Sequence, residues 1–124
     1  MMIQLRMIAA ATLVGLAGFT AAPAQDAVTA RGAVIRWLDK VSGETGDLDL
    51  SQGQSAVAGR LTIQLDDCRY PSGEEPTDAF AHLTVMDRLA SDPVFSGWML
   101  SDSPALSAMD HSRYDVWVLR CLTE

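Results

Sequence analysis

Short stretches in which apolar and polar residues alternate are the feature that most restricts the fold of this chain. In residues 32–38, Ala33, Ile35 and Trp37 occupy every second position, and residues 60–65 repeat the pattern. Alternate side chains point to opposite faces of a β-strand, so a period of two predicts half-buried strands. Four further stretches are read as strands in the same way: 47–50, 79–87, 94–100 and 114–121.

Polar segments that contain glycine or proline separate these stretches. The segments lie at residues 42–46, 51–55, 70–78 and 91–93. Residues 70–78 are too polar to pack and are predicted to form the longest exposed loop. Ser103 and Pro104 fit a helix start, with serine as N-cap and proline at the first helical position, which predicts a short helical turn over residues 103–109.

Strand-like runs joined by turns, with no long amphipathic helix, predict an all-β fold. We expect a small antiparallel β-sandwich or barrel of about six strands. Residues 32–124 are expected to form one domain of this kind. Residues 25–31 are small and polar without periodicity, so they are predicted to be a flexible lead.

The N-terminal residues have the composition of a secretory signal peptide. Arg6 is the only charged residue in the first 24, and an apolar run from Met7 to Phe19 follows it. Ala22 and Ala24 are the small residues that a signal peptidase accepts, so residues 1–24 are predicted to be removed by cleavage after Ala24. An uncleaved anchor is the alternative. The apolar run is shorter than the roughly 20 residues of a membrane span, which favours a cleaved signal peptide over an anchor. A cleaved signal peptide predicts a periplasmic location.

The charge balance restricts the partners. The chain has a formal net charge of −7, and Lys40 is its single lysine. Phosphate backbones and anionic lipids are bound by clustered basic residues, so nucleic acid is not expected as a partner. No stable membrane span is expected after cleavage. The partners that remain are an envelope protein or a glycan.

Cys68 and Cys121 are the only cysteines. Neither belongs to a Cys-x-x-Cys pair, so the spacing of redox and zinc motifs is missing. In an exported protein an even number of cysteines favours a disulfide. Two buried free thiols are the alternative.

Acidic residues and histidines are the candidates for chemistry. Asp66 and Asp67 are adjacent, so on a regular strand their carboxylates point to opposite faces unless a bulge intervenes. His82 and His111 have no partner at metal-ligand spacing. Serine nucleophile motifs and phosphate-binding glycine loops are absent from the sequence. No catalytic, metal or cofactor site is therefore predicted, and a hydrolase or cation-dependent enzyme is the alternative, which requires three of these four residues to meet in one pocket.

Aromatic residues supply the candidates for binding. The three tryptophans are Trp37, Trp98 and Trp117, and packing in the core is the simplest role for each. Trp98, beside Gly97, is the one selected as an exposed contact residue, together with Tyr70 at the start of the long loop. An inhibitor that presents this loop to an enzyme is a third hypothesis. The main hypothesis is a non-catalytic binding or scaffold domain of the cell envelope.

Several phrases of the sequence resemble a bacterial family that is typical of alphaproteobacteria and is known as domain of unknown function 2155. The resemblance implies export. It implies no activity, cofactor or functional residue. A proline usually follows the histidine at position 111 in that family, whereas Ser112 stands here. The phrases are RWLDK (36–40), GRLTIQLDDCRYP (59–71), VFSGWM (94–99), SPAL (103–106) and YDVW (114–117) leading to Cys121.

Overall fold

A computed structural model describes residues 26–123 and the isolated positions 15, 17 and 18. The predicted signal peptide over residues 1–24 lies outside the described residues, apart from those three positions. Within the described part of the chain, no helix is long and apolar enough to cross a membrane.

Eight β-strands and one short helix make up the described chain. The helix is a single 3-10 turn, Pro104–Leu106. The strands are β1 (Ala27–Thr29), β2 (Gly32–Asp39), β3 (Thr45–Ser51), β4 (Ser55–Ala58), β5 (Leu61–Pro71), β6 (Phe80–Asp87), β7 (Phe95–Leu100) and β8 (Tyr114–Leu122).

The strands form two antiparallel sheets. The larger sheet has the order β1-β5-β6-β7, and β4 also pairs with β5. The smaller sheet has the order β3-β2-β8. The predicted all-β, antiparallel class is confirmed. The strand count exceeds the expected number because two short strands, β1 and β4, were not recognised in the sequence.

The core lies between the inner faces of the two sheets. Its residues come from the alternating positions that predict strands, because every second side chain of a strand faces inward. On β6, for example, Ala81, Leu83 and Val85 are fully buried while the residues between them are half-buried. Tyr114, at the start of β8, is the largest fully buried side chain.

A disulfide joins the two sheets through the core. Cys68 lies on β5 in the larger sheet and Cys121 on β8 in the smaller one, and their Cα atoms are 5.8 Å apart. Both side chains are buried. The sequence predicts this bond, and the fold explains its position, because both cysteines occupy inward positions on facing strands.

The predicted flexible lead is partly a strand. Ala27, Val28 and Thr29 pair with Pro71, Tyr70 and Arg69 of β5, and Ala30 is buried. The sequence gives no signal for this strand, since three exposed residues are too few to show a period. Pairing with an existing edge of β5 supplies the backbone hydrogen bonds that hold it.

The second unrecognised strand, β4, forms a tight hairpin with β5. Ala58 pairs with Leu61, so Gly59 and Arg60 are the whole turn. Gly59 has φ +59°, a conformation that glycine adopts without steric cost. The hydroxyl of buried Tyr114 also approaches Gly59 so closely that a Cβ atom there would collide with it.

The long polar loop begins later than predicted and is tied to the rest of the fold. Tyr70 and Pro71 still belong to β5, and the loop closes at Phe80. Its backbone accepts hydrogen bonds from the Cys121 amide at Pro76 (2.9 Å) and from the Ser101 hydroxyl at Thr77 (2.5 Å). The helical turn predicted over residues 103–109 is shorter, since the 3-10 helix ends at Leu106.

Candidate functional site

A group of polar and aromatic side chains covers the outer, solvent-facing side of the larger sheet. We call it the Trp98 cluster. Its members lie on the three neighbouring strands β5, β6 and β7, whose pairing brings distant parts of the sequence together. The members are Asp66, Asp67, Arg69, Phe80, His82, Thr84 and Trp98.

A β-bulge at Asp66 brings both adjacent aspartates to this face. Leu65 pairs with Leu83 and Asp67 pairs with His82, so Asp66 is an extra residue between two register positions. Without the bulge, alternation would direct the two carboxylates to opposite faces. The expectation of divergent side chains on a regular strand is therefore corrected.

Asp66 is held by three side chains. Its Oδ2 accepts hydrogen bonds from His82 Nδ1 and from the Thr84 hydroxyl, each at 2.7 Å. Its Oδ1 accepts one from Gln64 Nε2 at 2.7 Å. Partial burial raises the pKa of this carboxyl, but the three hydrogen bonds outweigh burial and hold the pKa below its ordinary value. Asp66 is therefore a fixed carboxylate that orients the His82 ring.

Trp98 lies across the middle of the cluster and is 39% exposed. It is the cross-strand partner of His82, whose ring meets the indole nearly edge-on at 5.2 Å between centroids. Phe80 lies on its other side at 5.8 Å. The guanidinium carbon of Arg69 is 5.6 Å from the centroid of the indole ring, and Asp67 holds that guanidinium at 2.8 Å.

Hydrogen bonds within the cluster hold most of its charged groups in place. The Asp66 carboxylate and Asp67 Oδ2 accept hydrogen bonds within the cluster. Among the described residues, the buried Asp67 Oδ1 has no hydrogen-bond partner. Nothing in the described residues places three histidine, cysteine, aspartate or glutamate side chains so that they hold a metal ion. What the face offers to a ligand is an immobilised indole with a cation and an imidazole beside it.

His111 lies in a different network, at the ends of β6 and β8. Its Nε2 donates to Asp87 Oδ2 at 2.9 Å. Its Nδ1 accepts the backbone amides of Arg113 and Tyr114 at 3.0 and 3.1 Å. Both ring nitrogens are therefore used inside the protein, and the His111 side chain is only 9% exposed. Of the four residues considered for chemistry, three meet on the outer face, and His111 has a structural role.

Asp39 anchors the same end of the fold. Its carboxylate accepts hydrogen bonds from the guanidinium of Arg113, at 2.9 Å to the terminal nitrogen, and from the amides of Val41 and Ser42. The hydrogen bond from Arg113 is the main cause that holds the pKa of Asp39 well below its usual range. This carboxylate joins the β2–β3 hairpin to the chain that enters β8.

These carboxylates predict loss of stability in acid. The pKa values of Asp39, Asp66 and Asp87 are all lowered in the folded protein. A lowered folded-state pKa stabilises the native state above the unfolded-state pKa of about 3.9, and this contribution is lost as the pH falls through the folded-state values. We expect the urea midpoint of unfolding to fall progressively below about pH 5.

The Asp39→Asn variant is the matched test of this acid dependence. Asparagine does not titrate, so the variant should be less stable at neutral pH and should lose less stability on acidification. Urea unfolding of both proteins by circular dichroism across the pH range measures the two slopes. Equal slopes would contradict the assignment to Asp39.

Trp98, Asp66, Asp67 and His82 are separate candidates in the sequence, and nothing in the sequence predicts that they meet. Arg69, Phe80 and Thr84 were missed, although Phe80 and Thr84 occupy the alternate positions of β6 on either side of His82. Tyr70, the other predicted contact residue, is half-buried and packs against the core. The exposed contact candidate is therefore Trp98.

Comparison with known proteins gives a family and no activity. A family described as "Uncharacterized protein conserved in bacteria (DUF2155)" matches residues 33–121. The chain belongs to this family. The match begins in β2 and ends at Cys121, so it includes the disulfide, the bulge and every member of the Trp98 cluster, and it confirms the resemblance found in the sequence.

A curated bacterial protein is also similar to the chain. The chain is 26% identical over 87 residues to "Uncharacterized protein RP359" of Rickettsia prowazekii (strain Madrid E). The aligned region is 68% of this chain and 56% of the relative, so the chain spans about half of that protein's length. No solved structure gives a significant match.

Proposed function

We propose that this DUF2155 chain is a non-catalytic binding domain of the cell envelope, and that the Trp98 cluster is its contact surface. One observation carries the proposal: a tryptophan is held, 39% exposed, on the outer face of a sheet whose inner face already fills the core. Tryptophan joins a large apolar area to an N–H donor and is enriched at interfaces, so its partial exposure beside fixed charged groups favours a partner that covers it.

The composition of the cluster supports a binding role. Tryptophan and arginine are enriched among the residues that contribute most to protein interfaces, where they lie at the centre of a polar surround. Arg69 is fixed by Asp67, and His82 is fixed by Asp66. Because these side chains are already ordered, a partner loses little conformational entropy on ordering them.

The periplasm is the proposed location. The N-terminal residues have the composition of a secretory signal peptide, and a disulfide through the core suits an oxidising compartment. The partner is proposed to be an envelope protein or a glycan, since the net charge of −7 disfavours nucleic acid.

Crosslinking from the outer face tests the proposed contact surface. A photoreactive phenylalanine analogue at position 98 should crosslink a reproducible envelope component in living cells. The same analogue at Val41 is the matched control, because Val41 is 75% exposed but lies in the hairpin of the smaller sheet. Trp98→Ala should weaken capture of that component by roughly 30-fold, as expected of a dominant contact residue, while changing the free energy of unfolding by only about 1 kcal/mol.

Three outcomes would contradict the proposal. Equal crosslinking from positions 98 and 41 would show that the outer face has no special role. Undiminished capture by Trp98→Ala would remove the indole from the interface. An intact mass that still includes Met1, with the product in the cytosol, would contradict export.

A further inference from the structure

A groove lies along β8, which is the edge strand of the smaller sheet. It has a volume of about 280 Å³ and lies between β8 and the segment that carries the 3-10 helix. Its lining includes Met99 of β7, Met109, and three consecutive residues of β8: Asp115, Val116 and Trp117. Alternate residues of a strand face opposite sides, so a groove that contacts three in a row follows the edge of the strand itself.

The backbone of β8 at Val116 faces this groove. In the described part of the chain, β8 is the last strand of its sheet and pairs with β2 alone. The carbonyl of Arg113 accepts a hydrogen bond at 2.7 Å from the amide of Lys40, the residue that follows β2. Backbone groups of successive residues point alternately to the two edges of a strand. By this alternation Asp115 and Trp117 bond to β2, whereas the N–H and C=O of Val116 point to the free edge.

Within the described residues, the chain itself closes the free edge at the two ends of β8. At the start, the Tyr114 amide donates to His111 Nδ1 at 3.1 Å. Near the end of β8 the Cys121 amide donates to the Pro76 carbonyl at 2.9 Å. Among the described residues, no backbone group pairs with Val116 on this side. An unpaired strand edge is a template for an added strand, and here it borders a space that side chains can enter.

The two sides of the groove differ in chemistry. Met99, Met109 and Val116 are buried apolar residues on the inner side, and they suit an apolar side chain. On the outer side Asp115 is half-exposed and already pairs with Lys40 Nζ at 3.4 Å. The segment that forms the other wall carries the exposed residues Asp102 and Asp110. The Arg113 guanidinium is engaged by Asp39. An extended segment with apolar side chains facing inward and basic ones facing outward is complementary to this pattern.

We infer that the free edge of β8 binds an extended segment of a partner protein, which adds to the smaller sheet as a strand beside Val116. Its apolar side chain enters the groove against Met99 and Met109, and its lysine or arginine side chains lie near Asp102 and Asp110. This site lies on the edge of β8 and against the buried side chain of Met99, whereas the Trp98 cluster lies on the outer face of the larger sheet. The inference therefore stands independently of the proposed function.

Synthetic peptides test the added strand directly. The probe is a peptide of about six residues, a common strand length, in which lysine and leucine alternate. Two isomers carry N-methyl groups, either on the residues whose amides face β8 or on those whose amides face away. The three peptides have the same charge, so attraction to an acidic protein cannot distinguish them. Methylation facing β8 should weaken binding at least tenfold, and methylation facing away should not.

Amide signals in the nuclear magnetic resonance spectrum locate the site. The unmodified peptide should shift the signals of residues 115–117 and slow hydrogen exchange at Val116. Ala108→Phe places a ring in the groove and should abolish these shifts. Ala90→Phe is the matched control, because Ala90 is exposed and lies in the connection between β6 and β7, and it should keep the shifts. Trp98→Ala should bind the peptide unchanged, which separates this site from the outer face.

Other results would overturn the inference. Equal binding of the two methylated isomers would show that the backbone edge is not used. Shifts confined to the Trp98 cluster would place the peptide on the other sheet. Absence of any shift with all three peptides would show that the groove does not accept an extended chain. The isomer comparison uses the unaltered protein, so it decides the matter even if Ala108→Phe does not fold.

Discussion

Replacing Cys68 and Cys121 together by alanine should lower the free energy of unfolding by about 4 kcal/mol. The disulfide closes a separation of 53 residues, and the chain-entropy relation gives about 4 kcal/mol for a loop of this length. Domains of this size are stable by only about 5–15 kcal/mol. We therefore expect the variant to unfold at a much lower temperature, measured by circular dichroism with and without reductant.

The reduced wild-type protein is the control for this prediction. It lacks the crosslink but keeps both sulfur atoms in the core, so it separates the loop constraint from the packing of the side chains. Similar destabilisation of the reduced protein and of the double variant would attribute the effect to the crosslink. A reduced protein as stable as the oxidised one would contradict the prediction.

Gly59→Ala should destabilise the protein by about 3 kcal/mol, although it adds a single methyl group to an exposed turn. Part of the loss, about 1–2 kcal/mol, comes from placing a Cβ atom at positive φ. The rest comes from the collision with the Tyr114 hydroxyl, which accepts the Arg60 amide at 3.1 Å. Displacing that hydroxyl leaves a polar group without its partner, which costs about 1–3 kcal/mol.

Gly53→Ala is the matched control for Gly59→Ala. Gly53 also has positive φ, +82°, but no atom lies within 4 Å of a Cβ built there. It should show only the backbone cost, and the difference between the two variants measures the Tyr114 contact. Tyr114→Phe in the Gly59→Ala background should recover part of the loss, since it removes the oxygen that collides. Equal destabilisation by the two glycine variants would show that the hydroxyl contact is unimportant.

The fold class was predictable because burial on one face of a strand leaves a direct trace in the sequence. The alternation around Ile35 and Ile63 marks a strand in each of the two sheets. β1 and β4 left no such trace, since they have only three and four residues. Their existence depends on the edge of β5, which accepts both through backbone hydrogen bonds that do not depend on side-chain type.

The candidate site was predictable as residue types and not as an arrangement. Glycine beside Trp98 and the pair Asp66-Asp67 are visible in the sequence. Their meeting depends on the strand order β5-β6-β7 and on a bulge that shifts the register by one residue. A one-residue shift reverses the face of a side chain, and alternation alone gives no sign of where a bulge lies.

Cys68 lies between Asp67 and Arg69, two members of the Trp98 cluster, and points to the opposite side of the same strand. The bond to Cys121 therefore holds this stretch of backbone from its inner side, while the two charged side chains lie on its outer side. A freshly made chain whose sulfurs are still reduced lacks that fastening. The backbone that carries Asp67 and Arg69 therefore reaches its full rigidity only after oxidation, so the order of the cluster depends on the redox state of a bond on the other face of the sheet.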